Sequence, residues 1–113
     1  MDYDVELRFR NLIDRLEEKF GDGLDLDAVI LLIGVQELGQ GYQKFSKDEK
    51  MNLMHIAICT VLEPYGFYKY KANDEDGWPH FEKVKSIPAI SKKEQEHLLK
   101  EAIISYFETN KYV

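Results

Sequence analysis

The stretch that decides the fold is DLDAVILLIGVQELG, residues Asp25–Gly39. Its centre, Val29 to Ile33, is apolar on every side and rich in β-branched residues, a pattern that a buried strand would also give. The length of the segment and the capping residue Asp25 favour a helix from Leu26 to about Leu38, buried on most of its faces. Gly34 costs such a helix about 1 kcal/mol relative to alanine, which indicates a close helix crossing there.

The segment that precedes this helix predicts another, from about Tyr3 to Phe20. Apolar residues recur along it at three- and four-residue steps, which places them on one face of a helix. Gly21-Asp22-Gly23 then ends the helix. The residues predicted to face inward are Val5, Phe9, Leu12, Ile13, Leu16 and Phe20.

Two capping boxes mark the starts of the remaining helices, Ser46-Lys47-Asp48-Glu49 and Ser91-Lys92-Lys93-Glu94. In this motif a serine and a glutamate three residues later each accept a hydrogen bond from the other's backbone. The first box predicts a helix to about Leu62, ended by Pro64, and the second a helix from about Lys92 to Thr109. The predicted inward residues are Met51, Met54, Ile58, Val61 and Leu62 in the former, and Leu98, Leu99, Ala102, Ile103, Tyr106 and Phe107 in the latter.

The residues between these two helices have a different character. Strand-forming residues follow Tyr65, a turn-rich segment occupies Asn73–Gly77, and a second short extended segment begins at Trp78. Pro79 restricts that second segment to a sheet edge. The fold class predicted is therefore mainly α, a four-helix bundle-like domain with a small two-stranded hairpin element between helices three and four, and residues 1–113 as a single helical domain.

Composition indicates the structural class of the protein, its cellular compartment and the kind of partner it can have. The chain has 113 residues, 44% of them hydrophobic and 32% charged, which is typical of a globular domain. The lone cysteine, the acidic start of the chain and the shortness of every apolar run predict a cytoplasmic protein without a membrane span. A net charge of −6 argues against a nucleic-acid partner.

Motifs for catalysis or for a cofactor are weak throughout, so we predict no catalytic residue, cofactor or metal. His55 and Cys59 share a helical face at a spacing that could reach a metal, but two further ligands at usable spacing are missing. The acidic turn Asn73–Gly77 does not match a calcium loop, because Ala72 and Lys83 would occupy ligand positions.

The feature of the sequence that best indicates a functional surface is its aromatic residues, with six rings from Tyr65 to Phe81. Tryptophan and tyrosine dominate binding hot spots, because they offer large contact area with a polar tip. The predicted candidate interaction surface comprises Tyr68, Tyr70, Trp78, Pro79 and His80. The competing interpretation is that these rings only attach the extended segment to the helices.

Three segments carry a resemblance to a known family: residues 32–41 (LIGVQELGQG), residues 47–57 with Lys47-Asp48-Glu49-Lys50 and Met54-His55-Ile56-Ala57, and Asp76-Gly77-Trp78-Pro79-His80-Phe81. From about Leu26 to Phe107 the chain resembles a family of small bacterial proteins of unknown function. The resemblance implies a bacterial cytosolic protein and implies no mechanism.

Two functions remain open at this point. The first is a non-enzymatic protein-interaction module, with self-association among its modes, acting through the aromatic segment. The alternative is a small-ligand-binding protein or enzyme that uses Glu37, His55 and His80, which requires a concave site that holds them together.

Overall fold

The computed structural model describes residues 3–41 and 43–110, and it contains four helices and one β-hairpin in the predicted order. The helices are α1 (Tyr3–Phe20), α2 (Leu26–Leu38), α3 (Lys47–Leu62) and α4 (Lys92–Asn110). A 3-10 turn, Glu63–Tyr65, leads from α3 to two antiparallel strands, β1 (Tyr68–Asn73) and β2 (Pro79–Lys83). The predicted fold class, mainly α with a small hairpin between helices three and four, is confirmed.

The chain divides into two compact units, Met1–Leu26 together with Pro88–Val113, and Asp27–Ile87. In the first unit α1 packs against α4. Lys100 donates to the Glu6 carboxylate at 3.0 Å and also lies over the Phe9 ring, 5.4 Å from its centroid. The fully or nearly buried side chains of these helices are Val5, Phe9, Leu12 and Leu16 in α1, and Ala102, Ile103, Ile104, Tyr106 and Phe107 in α4.

In the second unit α2 crosses α3 at Gly34, as the sequence predicted. A Cβ atom at Gly34 would lie 2.3 Å from the carbonyl oxygen of Leu53 and 2.7 Å from its carbonyl carbon. Only glycine leaves room for so close an approach of two backbones. The side chain of Leu53 is itself fully buried, so this crossing sets which face of α3 turns inward.

Two of the predicted inward residues are exposed. Met51 is 62% exposed because the inward face of α3 is the one that carries Leu53, and each helical residue advances the side chain by about 100°. Met51 is therefore about 200° away from Leu53 around the helix. Phe20 is 59% exposed because it is the last residue of α1, and Gly21, with a φ of +97°, turns the chain away immediately after it.

The hairpin has a defined register with one irregularity. Tyr68 lies opposite Lys83 and Tyr70 opposite Phe81, whereas Lys71 is an extra residue before the next pair. Such a bulge bends its strand and increases the local twist.

Within residues 3–41 and 43–110, no helix combines the length and the apolar character that crossing a bilayer requires.

Candidate functional site

The turn between β1 and β2 is organised by the carboxylate of Asp74. Its Oδ1 accepts hydrogen bonds from the backbone N–H groups of Asp76 and Trp78, both at 2.9 Å, and its Oδ2 lies 2.9 Å from Nε2 of His80. Aspartate favours turns because its short side chain can bond the backbone a few residues further on. The His80 side chain and the Trp78 backbone N–H lower the pKa of Asp74. His80 is thus tied to the turn, with its side chain mostly exposed.

Trp78 joins this turn to the core of its unit. Its half-buried ring packs against a buried apolar cluster of Leu38, Phe45 and Leu53, and it meets the Phe45 ring edge-on at 6.4 Å between centroids. Beside it, the amide of Gln40 donates to the carbonyl oxygen of Asp76 at 2.7 Å. Trp78 and Gln40 therefore attach the turn to the apolar cluster of this unit.

Tyr70 is the most exposed of the phenylalanine, tyrosine and tryptophan residues of the hairpin. Its side chain belongs to a residue that is 45% exposed, and it meets the Phe81 ring across the strands at 5.8 Å between centroids. Its hydroxyl donates to Oδ1 of Asn73 at 2.9 Å, which limits its rotation. Tyr68 lies on the same strand face, two residues earlier, and its half-buried ring meets His55 of α3 edge-on. The aromatic face therefore begins at α3 and ends in solvent at Tyr70.

The two edges of the hairpin differ. On the β1 edge, Oε2 of Glu63 accepts the backbone N–H of Tyr70 at 2.8 Å, so that N–H points away from β2. Because antiparallel pairs alternate, Tyr70 and Phe81 are then a non-hydrogen-bonded pair. The bond from Val84 N–H to the Phe67 carbonyl, 2.9 Å long, agrees with that alternation.

The alternation assigns the outer edge of β2 to three residues, Pro79, Phe81 and Lys83. The N–H and C=O groups of Phe81 and Lys83 point away from β1. Within residues 3–41 and 43–110 they have no hydrogen-bonding partner on that side. Pro79, which lacks an N–H, also lies on this side, which is where a strand tolerates proline.

The residues of the alternative ligand site are distributed over different parts of this unit. His55 lies 3.5 Å from the Cys59 sulfur and contacts Tyr68, at the start of β1. His80 pairs with Ala72, four residues further along that strand, which corresponds to roughly 13 Å. Glu37 is exposed near the end of α2. The structure therefore separates the two histidines along the hairpin.

Cys59 has the properties of a structural thiol. It is fully buried, and burial raises its pKa to about 11. A thiol must ionise to act as a nucleophile or a metal ligand, which this environment opposes. In the part of the chain that the structure describes, no group of three or more histidine, cysteine or acidic residues is placed to hold a metal ion.

A shallow groove of about 190 Å³ lies in the first unit, between α1 and α4. None of Glu37, His55 and His80 lines it. Its lining residues are Arg8, Asn11, Leu12, Arg15, Ile104, Phe107 and Glu108.

Two residues that shape the hairpin were missed by sequence reasoning. Phe81 is one of the six rings but lies outside the predicted interaction surface, although it is opposite Tyr70 and shares a face of the hairpin with it. Glu63, which caps the β1 edge, carries no sequence signal for that role, because the contact depends on how the chain turns at Pro64–Gly66.

Comparison with protein-family models, with curated proteins and with solved structures finds no significant match to this chain.

Proposed function

We propose that this protein is a non-enzymatic protein-interaction module of the bacterial cytosol whose contact surface is the hairpin, with Tyr68, Tyr70, Trp78, Pro79 and His80 at its centre. The observation that carries the proposal is the exposure of Tyr70 in an ordered setting. Five of the six residues of β1 are exposed, yet the Tyr70 ring is held by Phe81 and by Asn73.

An ordered, exposed aromatic ring is suited to binding for an entropic reason. Each rotamer-rich side chain immobilised on association costs about 0.5–1.5 kcal/mol, and a ring already held in place loses little further freedom. The attachment of the hairpin does not explain why Tyr70 is aromatic, because Phe67 is buried and Trp78 already packs against the core of the unit. The exposed ring is therefore available for a partner.

A protein suits this surface better than a nucleic acid does. The turn next to Trp78 carries Asp74, Glu75 and Asp76, all exposed, and the whole chain has a net charge of −6. Phosphate groups require clustered positive charge, whereas a protein partner can meet an aromatic patch with an acidic rim.

The test is photo-crosslinking from the surface itself. A benzophenone-bearing phenylalanine analogue placed at Tyr70 in the expressing cells is expected to form covalent adducts with a protein. The matched control places the same analogue at Lys69, which is exposed on the opposite face of β1 and should form none.

Stability separates a contact role from a structural one. Tyr70→Ala is expected to lower the free energy of unfolding by no more than about 1 kcal/mol, because the residue is nearly half exposed and loses chiefly its cross-strand contact with Phe81. The absence of any protein adduct from position 70, in cells that grow normally with the labelled protein, would refute the interaction function.

A further inference from the structure

We propose that the partner of the hairpin is a second copy of this chain, joined through the outer edge of β2 into a four-stranded antiparallel sheet across a two-fold axis. This inference rests on the proposed function and names the partner for the β2 side of the same hairpin, where Pro79 and His80 of the proposed surface lie. It depends on the difference between the two hairpin edges.

The β2 edge is the open one. Phe81 and Lys83 direct their N–H and C=O groups outward, and within residues 3–41 and 43–110 nothing pairs with them on that side. An unpaired edge is a template for another strand. On the other edge, the Glu63 carboxylate already holds the N–H of Tyr70. Pairing of β2 with β2 would leave outside the two β1 edges, in each of which Glu63 already holds the Tyr70 N–H, and we expect assembly to stop at two copies.

Charge favours the Phe81-centred register of that pairing over the register centred on Glu82. With Phe81 opposite Phe81 of the second copy, Glu82 lies opposite His80 of that copy, and Lys83 lies opposite its Pro79. A shift of the register that centres the pair on Glu82 would place two like charges directly opposite each other, which is destabilising. In the Phe81-centred register, the rings of Tyr70 and Phe81 and the same two rings of the second copy form one row across the four-stranded sheet.

The backbone hydrogen bonds between the two copies follow from which residues of β2 point their N–H and C=O groups outward. The two Phe81 residues exchange both of their outward bonds, and each Lys83 N–H donates to the carbonyl of the opposite Pro79, so about four backbone bonds form. Proline supplies no N–H in return, which keeps the pairing short. An interface of this size is below the standard for stable complexes, and we expect a dissociation constant between about 1 μM and 1 mM.

Disulfide trapping tests the register directly. Residues 80 and 82 of opposite copies would form a non-hydrogen-bonded pair with Cα atoms about 4.5 Å apart, a separation that a disulfide can bridge. A mixture of the His80→Cys and Glu82→Cys variants is expected to form a mixed disulfide-linked dimer under mild oxidation. Each variant alone is expected to remain monomeric on a non-reducing gel, and so is the wild type, because Cys59 is buried.

A second pair of variants tests the backbone bonds. Lys83→Pro removes the outward N–H without removing a bond between β1 and β2, whereas Lys83→Ala removes the side chain and keeps the N–H. Sedimentation equilibrium should give a dissociation constant at least about tenfold weaker for Lys83→Pro and unchanged for Lys83→Ala.

Three results would overturn the inference. They are a wild type that remains monomeric at about 1 mM, a disulfide formed by Glu82→Cys alone, and equal dimerisation by Lys83→Pro and the wild type. Pro79 and Lys83 are residue types that can also discourage edge pairing, and the first result would mean that they do so in this protein. If the analogue at Tyr70 captures a different protein while the chain stays monomeric, the interaction function stands and only the identity of the partner is refuted.

Discussion

Replacement of Gly34 by alanine tests the close crossing of α2 and α3. The new Cβ would lie 2.3 Å from the carbonyl oxygen of Leu53, so the helices must separate by about 1 Å to restore ordinary contact. The obstacle is backbone, which cannot rotate away, and overpacking of this kind costs typically 1–3 kcal/mol. The upper end of this range, about 3 kcal/mol, applies to a backbone obstacle, and the higher helix propensity of alanine offsets about 1 kcal/mol of that cost. The net loss in the free energy of unfolding is about 2 kcal/mol.

Chemical denaturation followed by circular dichroism measures this loss, and for a chain of this length it corresponds to a fall in thermal midpoint of about 8 °C. Gln36→Ala is the matched control, because Gln36 is exposed two residues further along the same helix. It should change the free energy of unfolding by less than about 0.5 kcal/mol. A Gly34→Ala protein as stable as the wild type, or more stable, would mean that α2 and α3 do not approach so closely.

Four further outcomes are expected. Ser46→Ala should lower the free energy of unfolding by about 1 kcal/mol in urea titration, because it removes the side-chain acceptor that caps α3. Trp78→Ala should lower it by about 2 kcal/mol, less than for a fully buried ring, because Trp78 is half-buried against the apolar cluster; an unchanged value would mean that the ring is not anchored there. The pKa of Asp74 is lowered mainly by His80. The ionised carboxylate of Asp74 should therefore stabilise the turn above the usual carboxyl pKa, about 3.9, and this stabilisation should be lost as the pH falls through the lowered pKa. NMR titration of the carboxyl group would detect the lowered pKa. The thiol of Cys59, with a pKa raised to about 11 by burial, should resist alkylation at pH 8 until denaturant is added, and rapid labelling of the native protein would contradict its burial.

Local signals predicted the helices because their ends depend on residues close together in sequence. The capping box at Ser46 forms as predicted, with Glu49 Oε1 accepting the Ser46 N–H at 2.8 Å and Ser46 Oγ accepting the Glu49 N–H at 3.1 Å. The predicted end of α4, Thr109, differs by one residue from the observed Asn110. Gly34 was also informative, because a glycine that weakens a helix needs a compensating close contact.

The candidate site was less predictable because its properties depend on residues that are distant in sequence. Aromatic content identified Tyr70 and Trp78, but the sequence could not tell that Phe45 and Leu53 would cover one of these rings while the other stayed in solvent. The sequence also could not predict the distance between His55 and His80, because the register of the two strands sets it.

The sequence by itself determined the four helices, with their ends to within one residue, and the position of the close helix crossing, since capping, periodicity and glycine placement act over a few residues. The tertiary structure alone decided which face of each segment is covered. The rotation of α3 about its axis, which exposes Met51, follows from the approach of Gly34 to Leu53. The pairing of the outward N–H of Tyr70 follows from the contact that Glu63 makes with it. Both are contacts between separate segments, and their free energy appears only when the chain has folded.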